Sequence, residues 1–283
     1  MVQPSAFGDP GFTRTRDGRL LHHVTIGSGS PTVVFEAGLG ANRGTWGLVQ
    51  RAVAQHTRTL AYDRAGLGRS DSAPAGLHRM ADDLADLLHG DSDSRFVLVG
   101  HSLGGVLARC VARREPSSIA GLVLVDQVEE EIAEYHGITR ARGVAVGYML
   151  GAALAWLLRP ALKGRLHKNF PQEMASELVT EEISYRALRT GAREVVAMAS
   201  QLRSLMPDGG ELPDVPVTLI SAGRRGRAER PPRPVLIATH RRHAARLPRG
   251  RHVLAEHADH LVPLQQPELI VTETRRVVDL ARR

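Results

Sequence analysis

Residues 96–105 read FVLVGHSLGG, and this stretch decides the fold. Its first four residues are apolar, which is typical of a strand covered by helices on both faces, and a helix is predicted over residues 103–113. Between them, residues 100–104 match the pattern G-x-S-x-G. A serine in such a strand–turn–helix is held in strained backbone between small neighbours, with its hydroxyl at the sheet edge. The context therefore predicts a nucleophile at Ser102, with the Leu103 N–H directed at a developing oxyanion.

On both sides of this motif, short β-branched runs alternate with helical stretches, which indicates an α/β fold with a mostly parallel sheet. Seven strands are predicted, over residues 20–26, 32–36, 59–63, 96–100, 122–126, 217–221 and 252–255. Further helices are predicted over residues 45–55, 80–89 and 267–280. Between residues 126 and 212 the alternation stops and only helical patterns remain. We therefore expect a core of residues 1–127 and 209–283, with residues 128–208 inserted as a helical cap.

The composition is that of an ordinary globular protein, with 283 residues of which 42% are hydrophobic and 24% are charged. This composition excludes a disordered or collagen-like chain. The single cysteine, Cys110, excludes a disulfide framework and a four-cysteine zinc site. The first residues show no basic stretch followed by an apolar run, so no signal peptide is predicted and a cytoplasmic location is expected.

Basic residues are concentrated in one segment, although the formal net charge of the whole chain is only +7. Residues 222–251 contain ten arginines and a single acid, Glu229. A basic run of this kind could bind nucleic acid or an anionic membrane. It lacks the interleaved aromatic residues that stack on bases, and no nucleic-acid-binding motif accompanies it. We therefore expect a solvated basic face and no nucleic-acid partner.

Residues 143–158 form a run of sixteen uncharged residues between Arg142 and Arg159. A membrane-spanning helix needs about 20 residues, so this run is short. Glycines at 143, 147 and 151, followed by Ala155, have the four-residue spacing of closely packed helices. We expect a cap helix that lies against the core, with its apolar face over a pocket for a substrate with an apolar group. Membrane contact through the cap is the alternative that is not favoured.

Together with the G-x-S-x-G motif, three further segments resemble the α/β-hydrolase family. Residues 32–40 (TVVFEAGLG) resemble its third strand and the following turn, and residues 60–71 (LAYDRAGLGRSD) resemble the next strand with its D-x-x-G-x-G-x-S loop. Residues 258–267 (ADHLVPLQQP) resemble the segment of the catalytic histidine. The resemblance covers residues 13–282. It implies an α/β-hydrolase fold, with a mostly parallel central sheet flanked by helices and a helical cap inserted after the sixth strand.

The resemblance also implies roles for individual residues. Ser102 matches the nucleophile and His260 the general base, while the Leu103 N–H matches one oxyanion donor. In the family the second donor follows a His-Gly pair, and here the pair Ala37-Gly38 makes it the Leu39 N–H. The change from histidine to alanine removes only a side chain, because backbone N–H groups hold the oxyanion.

The acid of the triad is where this sequence departs from the family. The family usually has an aspartate just after its seventh strand, whereas here residues 217–221 lead into a loop whose only acid is Glu229. Some members carry the acid after the sixth strand, and this chain has Asp126 at the end of LVLVD. Both candidates keep the chain order Ser, acid, His. We favour Asp126, with Glu229 as the alternative acid and a missing acid as the third possibility.

These residues predict a serine hydrolase. Acyl transfer to Ser102 and hydrolysis by water would cleave an ester-type bond of a small-molecule substrate, as in a carboxylesterase or lipase, without a metal or organic cofactor. A lactonase, a thioesterase or an aminopeptidase uses the same kind of site, and a non-catalytic ligand-binding protein is the alternative of another class. An epoxide hydrolase is not expected, because those members have aspartate at the elbow.

The other histidines are given simpler interpretations. His252, His257 and His260 lie close in sequence, but they lack the HExxH pattern or cysteine partners of a zinc site, so no metal is expected. His22 and His240 are expected at the surface.

Overall fold

The computed structural model of the protein describes residues 5–91, 93–158, 160–161, 170–205, 211–225 and 232–283. Its strands are β1 (Asp9–Arg14), β2 (Leu20–Ile26), β3 (Thr32–Glu36), β4 (Thr59–Tyr62), β5 (Phe96–His101), β6 (Ile119–Val125), β7 (Val217–Ala222) and β8 (Gly250–Ala255). They form one sheet in the order β1-β2-β4-β3-β5-β6-β7-β8. The pairs β1–β2 and β2–β4 are antiparallel, and every later pair in this order is parallel. The expected α/β fold with a mostly parallel sheet is confirmed.

Helices cover both faces of this sheet. The helices of the described residues are α1 (Gly47–Val53), α2 (Leu77–His89), α3 (Leu103–Arg114), α4 (Ile138–Leu157), α5 (Gln172–Glu182), α6 (Tyr185–Leu205), α7 (Arg233–Arg246), α8 (Val262–Gln265) and α9 (Pro267–Ala281). In β3, Val34 packs on the side of α2 and α3, whereas Val33 and Phe35 pack on the side of α1 and α9. Successive strand residues face opposite sides, so the apolar run TVVF is buried on both.

All seven predicted strands are present, and their ends differ from the prediction by at most three residues. The sequence patterns did not predict β1 or α7. β1 is an edge strand that contains Pro10 and Gly11, two residue types that are depleted in strands. α7 has the sequence RPVLIATHRRHAAR, which lacks the apolar stripe at helical spacing that would mark a surface helix.

In the described part of the segment between β6 and β7, where a helical insertion was expected, lie the helices α4 to α6. Within this segment α4 packs against α6, and α6 also packs against α2 of the core. The segment therefore contacts the core through α6, and also through α5, whose Leu178 is buried in a core cluster and whose Glu181 pairs with Arg43. The division of the chain at residues 128 and 208 stays a prediction.

The orientation of α4 contradicts the expectation that its apolar face lies against the core. Val146, Leu150 and Leu157 are 60%, 68% and 69% exposed. A Cβ added at each glycine of α4 (residues 143, 147 and 151) would meet no atom within 4 Å, so the glycine spacing does not mediate close helix packing. The expectation was wrong because a run without charged residues does not indicate which of its sides faces inward. No helix in the described part of the chain combines the length and apolar character needed to cross a bilayer.

The expected surface position of His22 and His240 is also wrong, because both side chains are fully buried. His22 Nδ1 lies 2.9 Å from Asp63 Oδ2. His240 lies between the Ser221 hydroxyl, at 2.8 Å, and the Gln127 carbonyl oxygen, at 3.1 Å. A buried histidine needs such partners, and they come from distant parts of the sequence.

Candidate active site

Ser102 occupies the sharp turn between β5 and α3. Its backbone has φ 54° and ψ −118°, a conformation that costs a non-glycine residue about 1–3 kcal/mol and is concentrated at functional sites. The turn is tied to the end of β6, because the Ser102 N–H donates to the Val125 carbonyl oxygen at 3.0 Å. A Cβ at Gly104 would lie 2.4 Å from the Glu36 carbonyl oxygen, so this close approach of α3 to β3 requires glycine.

His260 connects Ser102 to Asp126. Its Nε2 lies 3.0 Å from the Ser102 hydroxyl, and its Nδ1 lies 2.7 Å from Asp126 Oδ2. A proton on Nδ1 is donated to the carboxylate, which leaves Nε2 free to accept the hydroxyl proton. Asp126 is buried and Ser102 is nearly so, whereas 43% of the His260 side chain is exposed. The structure thus brings together the three residues predicted from the sequence.

Asp126 is held by donors on both carboxylate oxygens. Oδ2 accepts from His260, while Oδ1 accepts the Ala222 N–H at 2.9 Å and Arg233 Nη1 at 2.5 Å. Burial acts to raise the pKa of this carboxyl, but the hydrogen bond and charge of His260 and the charge of Arg233 outweigh it and lower the pKa to about 2. The carboxylate is therefore ionised at neutral pH. Glu229, the alternative acid, lies outside the described residues.

The backbone of Asp126 is strained in the same sense as that of Ser102. Among the described residues other than glycine, these two alone have a positive φ, 44° at Asp126 and 54° at Ser102. The two turns are also bonded to each other, since the Val128 N–H donates to the Ser102 carbonyl oxygen at 3.2 Å. Strain at both positions persists only where surrounding structure imposes it, which is typical of an active site.

The turn after β3 passes beside Ser102. A Cβ at Gly38 would lie 2.9 Å from His101 Nδ1 and 3.4 Å from the Ser102 Cβ. The N–H groups of Gly40 and Ala41 are bonded, to Glu194 and to the Gly38 carbonyl oxygen. Within the described part of the chain, the N–H groups of the two predicted oxyanion donors, Leu39 and Leu103, have no acceptor.

Arg64 fixes the turn after β3 through hydrogen bonds and ion pairs. Its guanidinium donates to the carbonyl oxygens of Ala37 and Gly38, each at 2.6 Å, and it pairs with the buried carboxylates of Glu36 and Glu194. Burial opposes the charge, but the two carboxylates outweigh it and raise the pKa of Arg64 above its ordinary value. Its bonds to the two carbonyl oxygens thus fix the neighbouring turn, which carries Leu39.

His101 supports His260 rather than reacting itself. Its Nε2–H donates to the His260 carbonyl oxygen at 2.8 Å, and the two rings lie 4.8 Å apart. Burial lowers the pKa of His101 to about 3, so the ring is neutral. A hydrogen bond thus joins His101, beside Ser102 at the elbow, to the loop that carries His260.

Sequence reasoning missed Arg233 and Glu194. Arg233 contacts Asp126 across 107 residues of sequence, and Glu194 contacts Gly40 across 154 residues. Neither residue belongs to a motif. Arg233 lies within residues 223–234, an arginine- and proline-rich stretch that the sequence predicts to be a loop, whereas in the structure α7 begins at Arg233. The one available signal was the buried acid, because a buried carboxylate usually has a cationic or N–H partner.

His252 and His260, two of the three histidines considered for a zinc site, have different partners. His252 Nε2 lies 2.8 Å from the Ser221 hydroxyl, whereas His260 faces Asp126 and Ser102. No group of three or more histidine, cysteine or acidic side chains in the described ranges is arranged to hold a metal ion.

Comparison with known proteins shows that this chain is similar to hydrolases. A family model described as "Alpha/beta hydrolase family" matches residues 33–273. The "Putative carbamate hydrolase RutD" of Pantoea ananatis is 41% identical over 98 residues, which are 34% of this chain and 36% of that protein. An "AB hydrolase superfamily protein" of Gibberella zeae is 28% identical over 288 residues, covering 89% of this chain and 87% of that protein. The chain thus spans little more than a third of the length of RutD.

Solved structures share the fold over nearly the whole chain. A thermophilic esterase from Thermogutta terrifontis has a TM-score of 0.69 at 23% identity, covering 97% of this chain and 99% of that one. The epoxide hydrolase CorEH has a TM-score of 0.70 at 20% identity, covering 95% of this chain and 97% of that one. At such identities the likeness shows the fold and leaves the reaction to be argued from the site.

Proposed function

The chain belongs to the alpha/beta hydrolase family, and we propose that it is a serine hydrolase that cleaves an ester-type bond of a small molecule. The observation that carries the proposal is the continuous set of hydrogen bonds from Asp126 through His260 to the Ser102 hydroxyl. Serine is a weak nucleophile at neutral pH and needs a base that takes its proton. His260 is in position for that task, and Asp126 fixes its tautomer.

The proposed reaction has two halves. His260 Nε2 takes the proton of the Ser102 hydroxyl as Oγ attacks the carbonyl carbon of the substrate. The oxyanion that forms accepts hydrogen bonds from the N–H groups of Leu39 and Leu103. Collapse expels the alcohol, which takes the proton from His260, and leaves an acyl group on Ser102. Water then loses a proton to His260 and attacks the acyl carbon. A second oxyanion collapses to the carboxylic acid, and Ser102 regains its proton.

We propose that the helices between β6 and β7 form a cap at this site. Glu194 of α6 supports this idea, because it accepts the Gly40 N–H and pairs with Arg64. An element that touches the turn carrying Leu39 can influence how an oxyanion is held. A carbamate is the second candidate substrate, since the same attack cleaves it and the local identity with RutD favours it.

Hydrolysis of p-nitrophenyl esters with acyl chains of increasing length, together with a p-nitrophenyl carbamate, tests the proposal. We expect the wild-type protein to release nitrophenol from the esters and Ser102→Ala to lower kcat by about 10⁴-fold or more. Ser72→Ala, at an exposed serine, is the matched control and should keep the wild-type rate. Equal rates for the wild-type protein and Ser102→Ala would instead favour a ligand-binding member of the family.

A further inference from the structure

The solvent side of α4 is a continuous apolar surface. Six large aliphatic side chains, each between 46% and 69% exposed, form what we term the α4 face: Val144, Val146, Leu150, Leu154, Leu157 and Leu158. Exposed apolar residues are common one by one, but a contiguous group of them marks an interaction site.

Helix geometry places these residues on one side. At 100° per residue they fall within an arc of about 160°, and the three glycines of α4 lie in the same arc. The opposite side packs against α6, where Ala141 is buried. An ordinary surface helix has its charged residues outward, whereas this one has no charged residue from 143 to 158 and turns its aliphatic side chains to solvent.

The sequence around the α4 face is cationic throughout. Residues 138–170 contain no aspartate or glutamate, and their six basic residues include both lysines of the chain. These are Arg140, Arg142, Arg159, Lys163, Arg165 and Lys168. Arg140 and Arg142, at the start of α4, are exposed. Among the described residues, Glu134 is the one acid that lies beside Arg140 and Val144 in the pocket at the start of α4. An apolar helix face with more cations than acids at its border complements a surface that offers hydrocarbon beneath negative headgroups.

We propose that the α4 face docks on an anionic lipid bilayer. The helix of 20 residues, about 30 Å long, would lie in the plane of the interface with its aliphatic side chains among the upper acyl chains. Arg140 and Arg142, at its start, would bind lipid phosphates. A second copy of the chain is the less favourable occupant, since pairing two α4 faces brings two acid-free cationic segments together. The proposal concerns binding and is independent of the chemistry at Ser102.

Flotation with lipid vesicles tests this inference on the full chain. We expect the protein to float with vesicles of phosphatidylcholine containing about 30% phosphatidylglycerol, and to bind pure phosphatidylcholine at least about tenfold more weakly. The triple variant Leu150→Glu, Leu154→Glu, Leu157→Glu should lose at least about tenfold in partitioning, and Arg140→Glu with Arg142→Glu several-fold. Circular dichroism and the melting temperature should not change, because all these side chains are exposed.

Matched controls come from α7, which also carries exposed apolar and basic residues. Val235→Glu, at a position 48% exposed, and Arg241→Glu should float like the wild-type protein, as should Ser102→Ala. Wild-type protein that stays unbound to anionic vesicles overturns the proposal. So does binding that is lost in the α7 variants and kept in the α4 variants. A third contrary outcome comes from light scattering. If the wild-type protein is a dimer that does not bind vesicles, and if the α4 variants are monomers, the α4 face is an interface between two copies of the chain.

Discussion

α3 and α4 are both rich in small residues, yet they lie in opposite surroundings. A Cβ at Gly104 of α3 would lie 2.4 Å from the Glu36 carbonyl oxygen, and one at Gly105 would lie 2.5 Å from the Gln127 Cβ. At Gly147 and Gly151 of α4, an added Cβ would meet no atom within 4 Å. Glycines in a helix therefore indicate close packing only where distant segments of the chain pack against that helix.

The same contrast holds for the chemistry of the two regions. Around the start of α3 a network of hydrogen bonds joins Asp126, His260 and Ser102, and three donors hold the buried Asp126 carboxylate. α4 has aliphatic side chains in solvent and two exposed arginines, Arg140 and Arg142, at its start. The first region suits a chemical reaction, and the second suits a surface partner. Substitutions in each region should therefore have effects of different size and kind.

The largest expected effect is on catalysis at Asp126. Asp126→Asn should lower kcat by about 10⁴-fold on a soluble ester, because an amide holds the imidazole in the wrong tautomer. Leu150→Glu on α4 should keep the wild-type kcat in the same assay, since it lies outside the site. Glu229→Gln decides between the two acids: full activity agrees with Asp126 as the acid, whereas a comparable loss in Glu229→Gln with an active Asp126→Asn would reverse the assignment.

Paired glycine substitutions compare the two helices directly. Gly104→Ala should lower the free energy of unfolding by about 3 kcal/mol or more, because the methyl group meets backbone that cannot move away. Gly147→Ala should raise it by about 0.5–1 kcal/mol, since alanine favours an exposed helix and there is space for the methyl group. Urea unfolding of both variants measures the difference. A similar loss of stability in both would mean that α4 packs more closely than described.

Arg233 is expected to position Asp126 and keep its carboxylate charged. Without its guanidinium, Arg233→Met should lower kcat/KM by about 10–100-fold and raise the pKa of Asp126 above about 2. The pKa of the Asp126 carboxyl, followed by the pH titration of its NMR signal, should therefore be higher in Arg233→Met than in the wild-type protein. Arg233→Lys should restore part of the rate and move this pKa back towards the wild-type value. A lower rate with an unmoved pKa of Asp126 would indicate a merely structural contact.

Stability at acidic pH depends on His101. Burial lowers its pKa from the ordinary value of 6.5 to about 3 in the folded protein, so below pH 6.5 the unfolded chain takes up a proton that the folded chain does not. The free energy of unfolding should therefore fall by about 1.4 kcal/mol per pH unit from this group as the pH drops from 6.5 towards 3. His101→Asn should make this slope shallower in urea unfolding at about pH 6.5 and about pH 4.5. Leu150→Ser on α4 should leave it unchanged, and an unchanged slope in His101→Asn would contradict the account.

Local sequence signals predicted the sheet and the nucleophile at Ser102, because apolar runs and a strained elbow are properties of short segments. The grouping of Ser102 with Asp126 and His260 followed from the resemblance to the α/β-hydrolase family, since these contacts join residues more than 100 positions apart. Arg233 and Glu194 could not be predicted, because their contacts are equally distant and neither residue belongs to a motif of that family. The outward orientation of α4 could not be predicted either. In a run without charged residues, no residue indicates which side of the helix faces solvent. The exposed side depends on where other parts of the fold pack against the helix.

Labelling with a fluorophosphonate, followed by mass spectrometry of the modified peptide, tests the central claim most directly. The reagent reports an activated serine without knowledge of the substrate. The account predicts rapid labelling of Ser102 alone, abolished in Ser102→Ala and slowed strongly in Asp126→Asn. Labelling of the wild-type protein no faster than of Ser102→Ala would contradict it, because Ser102 would then lack an effective base.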